Sequence, residues 1–286
     1  MDPTTARGAA VLVHGAWHGA WTYERIVPRL AAAGVFAVAR DLPAHGLNAR
    51  FPAGYIDRST ASPTWGADPS PVAAVSLDDY VDSVSATVDA VRALGFARVT
   101  LVGHSMGGVV LTALGERCPE KIERLVYLSA FMPARGVPAV AYIGAPENAG
   151  EQVGPLLMAD PREIGALRMD HRSADAVYRE RIRQAFYGDL PADAAQAALQ
   201  LLTPDVPAGP MATPIETTAD RWGALPRHYI RCTQDMAIRP ALQQRFIAEA
   251  DAFTPGNPTV VHTLEASHSP FLSQEAALAG LLARIV

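Results

Sequence analysis

The chain reads as an α/β protein: a mainly parallel six-stranded sheet covered by helices on both faces, with a helical cap inserted late in the alternation. Three observations carry this. Short β-branched apolar runs alternate with helix-period segments, as strands buried on both faces require. The alternation stops over residues 133–224, which hold 10 of the chain's 23 prolines, and then resumes. A serine between glycines, Gly103-His104-Ser105-Met106-Gly107, follows one apolar run with no room for a loop.

The elements follow in order. Residues 9–13 (AAVLV) are a buried strand ending in His14-Gly15-Ala16-Trp17-His18-Gly19, where small residues let backbone amides approach a ligand. Trp21, Ile26, Val27, Leu30 and Ala33 keep helical spacing over 20–33, and Gly34 stops that helix. Residues 35–39 are the second strand. Residues 47–76 have no period and contain Pro52, Pro63, Pro69 and Pro71; a loop of that length is either functional or a surface decoration, and both readings stay open. A helix over 77–94 opens on Asp78 and Asp79 and ends at Gly95, as dipole and capping favour. The strand before the serine, residues 99–102, comes next, then a helix to about 119 and a strand over 122–129. Within the insertion, helical stretches fall near 160–169, 174–186 and 192–202. Strands over 228–233 and 259–264 and helices over 240–250 and 270–286 close the chain. The domains are thus a core of 1–132 and 225–286 and a cap of 133–224.

Composition narrows the function. With 286 residues, 49% hydrophobic and 19% charged, the chain buries a full core. A formal charge of −5 with interspersed signs gives no footprint for nucleic acid or an anionic membrane. Cys118 and Cys232 read as small hydrophobes with no disulfide. MDPTTARGAA lacks a basic region followed by an apolar one, and no run reaches bilayer length, so the expected compartment is the cytoplasm.

G-x-S-x-G alone is a weak signal in a chain with 22 glycines, and the competing reading is an ordinary serine in a tight βα turn. Its setting between a buried strand and a helix points to a nucleophile on a sharp turn. A serine hydroxyl needs a general base, and the base an orienting carboxylate, both in loops after strands. His268 lies between the last strand and the last helix, whereas His262 falls inside that strand. Asp235 lies just past the strand at 228–233; its rivals Asp251 and Asp220 lie away from strand ends. The oxyanion would be held by the amides of Ala16 and Met106. His14-x-x-x-His18 invites a metal reading, weakened by its Gly-rich loop and the lack of a third ligand. His104 is either packed structure or a pocket residue. Trp17, Phe131 and Met158 are candidates for an apolar substrate pocket.

The tracts VLVHGAWHGAW, DLPAHG, LVGHSMGG, VYLSAFMP, FYGDLP, RHYIRCTQDMAI and ASHSPFLS together resemble the plant-type methyl esterase and hydroxynitrile lyase branch of the α/β-hydrolases, over nearly the whole chain. The resemblance implies the α/β-hydrolase fold and a serine esterase with Ser105, Asp235 and His268 as triad. It also implies a capped hydrophobic pocket, no cofactor and, as is common in that branch, a homodimer. Lyase members carry a lysine after the catalytic histidine and a threonine in the first loop; here Ser269 and Gly15 stand there, so no cyanide release is expected. The long 47–76 loop looks more like bacterial members. Hydrolysis of a small apolar ester, a methyl ester or lactone among them, is the leading reading. A ligand-binding relative with little turnover and a triad-dependent lyase or C–C hydrolase are the alternatives.

Overall fold

A computed structural model describes residues 8–58 and 65–286. Residues 1–7, on which the N-terminal reading rests, and 59–64 of the long loop lie outside the described residues. Six strands form one parallel sheet: β1 (Gly8–Val13), β2 (Val35–Ala39), β3 (Val99–His104), β4 (Ile122–Leu128), β7 (Arg227–Cys232) and β8 (Val260–Leu264), in the order β2-β1-β3-β4-β7-β8. Two short strands, β5 (Ala166–Arg168) and β6 (Asp205–Pro207), pair antiparallel elsewhere.

Alternate residues of each strand feed opposite faces. Val11, Val13, Leu101 and Tyr127 pack with Val84, Val88, Leu111 and Phe246, while Leu12, Val102, Val126 and Ile230 pack with Ile26, Leu30, Leu278 and Leu282. One face is therefore covered by the helices Leu77–Arg92, Gly107–Arg117 and Pro240–Phe253, the other by Ile26–Ala32 and Glu275–Ile285. The first of these opens on a capping box between Ser76 and Asp79. Because β1 neighbours both β2 and β3, the chain reverses its winding direction there, and a crevice forms outside the carboxyl ends of β1 and β3. Register places Val13 beside Gly103 and His104 beside Leu128, which brings the loops after β1, β3 and β4 to one edge.

Several expected boundaries shift. The segment expected as helix over 160–169 is one helical turn, Pro161–Ile164, that ends at Gly165 (φ 76°) and continues into β5, so the insertion is not purely helical. The first helix splits into a 3-10 turn, Ala20–Tyr23, and Ile26–Ala32; the last splits at Gln274. The long loop contains short helical pieces at Ala53–Ile56 and Trp65–Ala67. Among the described residues no helix is long and apolar enough to cross a membrane, and both cysteines are free.

Candidate active site

Ser105 stands between β3 and the helix Gly107–Arg117 with φ 54°, a left-handed conformation uncommon outside glycine. The flanking glycines answer to close packing. A Cβ on Gly103 would meet the Gly107 carbonyl at 2.9 Å, and one on Gly107 would meet Val13 O at 2.8 Å. The Ser105 carbonyl accepts from the amides of Gly108 (3.1 Å) and Phe131 (3.0 Å), so the strained turn is fixed from two sides.

Asp235 and His268 come together from the loops after β7 and β8. His268 Nδ1–H donates to Asp235 Oδ2 at 2.8 Å, both side chains are buried, and Nε2 is the nitrogen left for the serine. Asp235 Oδ1 accepts from the amides of Ala237 (2.7 Å) and Ile238 (2.9 Å), and Oδ2 also accepts from Ser129 Oγ and Gln243 Nε2 (3.3 Å). Five donors fix the plane of one carboxylate. Ser105 and His268 open onto the same cavity, with no hydrogen bond between their side chains in this structure. Such bonds often tighten only when substrate is bound.

The first loop presents its amide by elimination. Gly15 O accepts from His14 Nδ1 (2.8 Å) and the His18 amide (3.4 Å), and in a trans peptide the Ala16 N–H points the opposite way. His18 Nδ1–H donates to Ala16 O (2.7 Å), which leaves His18 Nε2 to accept from Tyr187 OH (2.9 Å). Burial pushes the His18 imidazole down to about 3, in keeping with that neutral tautomer. Ala16 and Met106 both line the cavity beside Ser105, and the amides of both lack a protein acceptor among the described residues. His14 and His18 are thus absorbed in shaping this loop. Among the described residues no group of three or more His, Cys, Asp or Glu is placed to hold a metal.

One narrow, mostly apolar cavity opens at Ser105 and His268. Trp17 and Phe131 line it, joined by Leu157, Leu167, Phe186 and Met211 from the insertion, with Asn148 and Glu151 as polar members. Of the two readings of His104 the structure fits packed structure, and Met158 lies off the lining. His104 does not line the cavity: its Nε2–H donates to the His268 carbonyl (2.8 Å) and its ring packs on the His268 ring, 4.6 Å between centroids. Burial, reinforced by the neighbouring His268, holds its pKa well below the usual histidine value. Met158 is 37% exposed and packs against Gly66; its neighbour Leu157 takes the lining position.

Sequence reasoning missed Ser129, Gln243 and Phe186. Ser129 (φ 41°) follows β4 directly, a strand-end position that the search for site residues in such loops reaches. Gln243 reaches Asp235 from inside a helix, where no local pattern marks it, and Phe186 sits in the FYGDLP tract.

A family model described as the alpha/beta hydrolase family matches residues 10–281, and the chain belongs to that family. It is 29% identical over 277 residues to a pyrethroid hydrolase from Sphingobium wenxiniae, covering 96% of this chain and 85% of the relative. It is 28% identical to the esterase PIR7B of Oryza sativa subsp. japonica, over 96% of this chain and 94% of that protein. Among solved structures, a pyrethroid hydrolase from Sphingobium faniae JZ-2 superposes with a TM-score of 0.74 at 26% identity, over 97% of this chain and 96% of that one.

Proposed function

We propose that this serine carboxylic-ester hydrolase acts on apolar esters through an acyl-enzyme on Ser105, with His268 as base and Asp235 as its orienting partner. The observation that carries the reading is the convergence of the strained Ser105, the Asp235–His268 pair and two free amides on one mostly apolar cavity. Ser105 Oγ attacks the ester carbonyl while His268 Nε2 takes its proton. The oxyanion forms against the Ala16 and Met106 amides, and His268 returns the proton to the leaving alkoxide. Water then repeats the sequence on the acyl-enzyme, releasing the acid.

The insertion, residues 133–224, acts as the cap that supplies half of the apolar lining residues. That lining and the relatedness to a pyrethroid hydrolase and a plant esterase support an apolar acyl or alcohol part. A Cβ on Gly15 would lie 2.7 Å from Ser105 Cβ, so the first loop has no room there for a side chain, which supports hydrolysis over cyanohydrin cleavage. The mechanism calls on no cofactor.

The test is steady-state hydrolysis of p-nitrophenyl acetate and butyrate by the wild type and Ser105→Ala. We expect turnover that prefers butyrate and falls at least about 10³-fold in the variant. Undiminished turnover in Ser105→Ala rejects the mechanism.

A further inference from the structure

The residue before His268 is gripped by the inserted segment. Ser267 is 1% exposed; its amide donates to Asp189 Oδ2 at 2.9 Å, and its hydroxyl donates to Asp189 Oδ1 and lies 3.3 Å from Phe186 O. Asp189 belongs to the turn after the helix Ala176–Tyr187, far from His268 in sequence. The same turn touches the rest of the site. The Phe186 ring lies 6.0 Å from that of His268, and Tyr187 OH donates to the histidine that holds the Ala16 carbonyl.

We propose that Asp189 is a positioning residue for the ester hydrolysis: by holding both donors of Ser267 it fixes the backbone that presents His268 to Ser105. On the other side, His104 pins the His268 carbonyl. The base is thereby held at two successive residues, from the core through His104 and from the insertion through Asp189. Removing the Asp189 carboxylate leaves the buried Ser267 amide without its acceptor, the hydroxyl with only the longer contact to Phe186 O, and the His268 backbone anchored on one side only. Misplacement of a catalytic group by about 1 Å costs on the order of 10²-fold in rate. The charge, two-pronged geometry and burial of Ser267 are what such a clamp requires; a bond serving only to attach the insertion has no need to end one residue from the base. The inference also explains why the insertion matters to chemistry as well as to pocket shape.

This inference rests on His268 being the general base, so the test has one arm that reads turnover and one that does not. In the first, Asp189→Ala, Asp189→Asn, Ser267→Ala and the double variant Asp189→Ala/Ser267→Ala are assayed with p-nitrophenyl butyrate. Asp189→Ala is expected to lower kcat about tenfold or more with KM within twofold of wild type. Asp189→Asn, which keeps one acceptor oxygen, recovers part of that loss and stands in if the alanine variant does not fold. The double variant is expected to be no worse than Asp189→Ala, because both changes break one contact. In the second arm, the downfield proton resonance of His268 Nδ1–H is followed by NMR in wild type and variants. Its broadening or loss in folded Asp189 variants supports the clamp even if the wild type hydrolyses no ester tested. A folded variant with kcat and resonance both unchanged, a change confined to KM, or a double-variant loss equal to the product of the single losses overturns it.

Discussion

Gly15 shows how finely the site is fixed at the scale of a residue. A methyl group there would sit 2.7 Å from Ser105 Cβ and 2.8 Å from His104 Nδ1, so either the nucleophile or the ring behind the base must move. Gly15→Ala is therefore expected to lower kcat for p-nitrophenyl butyrate about tenfold or more while the protein stays folded, read by steady-state kinetics alongside circular dichroism. Unchanged kcat would mean that the elbow tolerates displacement. The residues proposed to react could be picked out because each sits at a strand end in a short tract: Ser105 after β3, Asp235 after β7, His268 after β8. Their supports could not. Gln243 reaches Asp235 by folding back from a helix, and His104 turns away from the cavity to the His268 carbonyl; neither direction is encoded in local spacing.

At the scale of elements, the long loop that sequence left undecided is strapped to the insertion. Arg168 on β5 is fully buried and forks onto Asp205 of β6 at 2.7 Å through both Nε and Nη2. Its remaining donor, Nη1, reaches the carbonyls of Trp65 (2.9 Å), Gly66 (3.1 Å) and Asp68 (2.8 Å), and Ser70 Oγ donates to Asp205 at 2.6 Å. Arg58 adds an ion pair to Asp170, and Tyr55 OH meets His171 Nε2 at 2.6 Å. A charge pair buried this deeply is costly to break from one side, because the partner charge stays buried. Arg168→Ala should lose about 3–5 kcal/mol in urea unfolding, and adding Asp205→Ala should recover part of it. A loss under about 1 kcal/mol would show that the strap does not hold the loop. The central strands β1, β3 and β4 were legible because burial on both faces writes apolar runs, and the edge strand β8, exposed or half-buried throughout, through its β-branched residues. β5 and β6 were not: each spans three residues, and each includes a member of the ion pair in place of an apolar side chain.

Across the whole molecule, the burial of histidines in the site, the strap and the sheet edge leaves an acid liability. Burial lowers His18 to about 3 and His45, His171 and His228 to about 4, and holds His14 and His104 well below the usual value. In the unfolded chain these six titrate near 6.5. With folded values depressed, the unfolded chain binds more protons, so stability is full above about pH 6.5 and declines as pH falls toward the folded values. Unfolding at pH 5 should take up about five protons per molecule, measured by calorimetry in buffers of differing ionisation enthalpy; uptake of one or fewer would mean that the buried histidines are charged in the native state. The central claim is the proposal that the assembly of sheet edge, elbow and insertion makes one hydroxyl reactive. It is tested most directly by treating the protein with an alkyl p-nitrophenyl phosphonate and following intact mass, released p-nitrophenol and the modified peptide. The account predicts one phosphonyl group per chain, on Ser105, with hydrolysis of p-nitrophenyl butyrate lost in proportion and no labelling of Ser105→Ala. Labelling at another residue with activity lost, or ester turnover that persists in fully labelled protein, would contradict it.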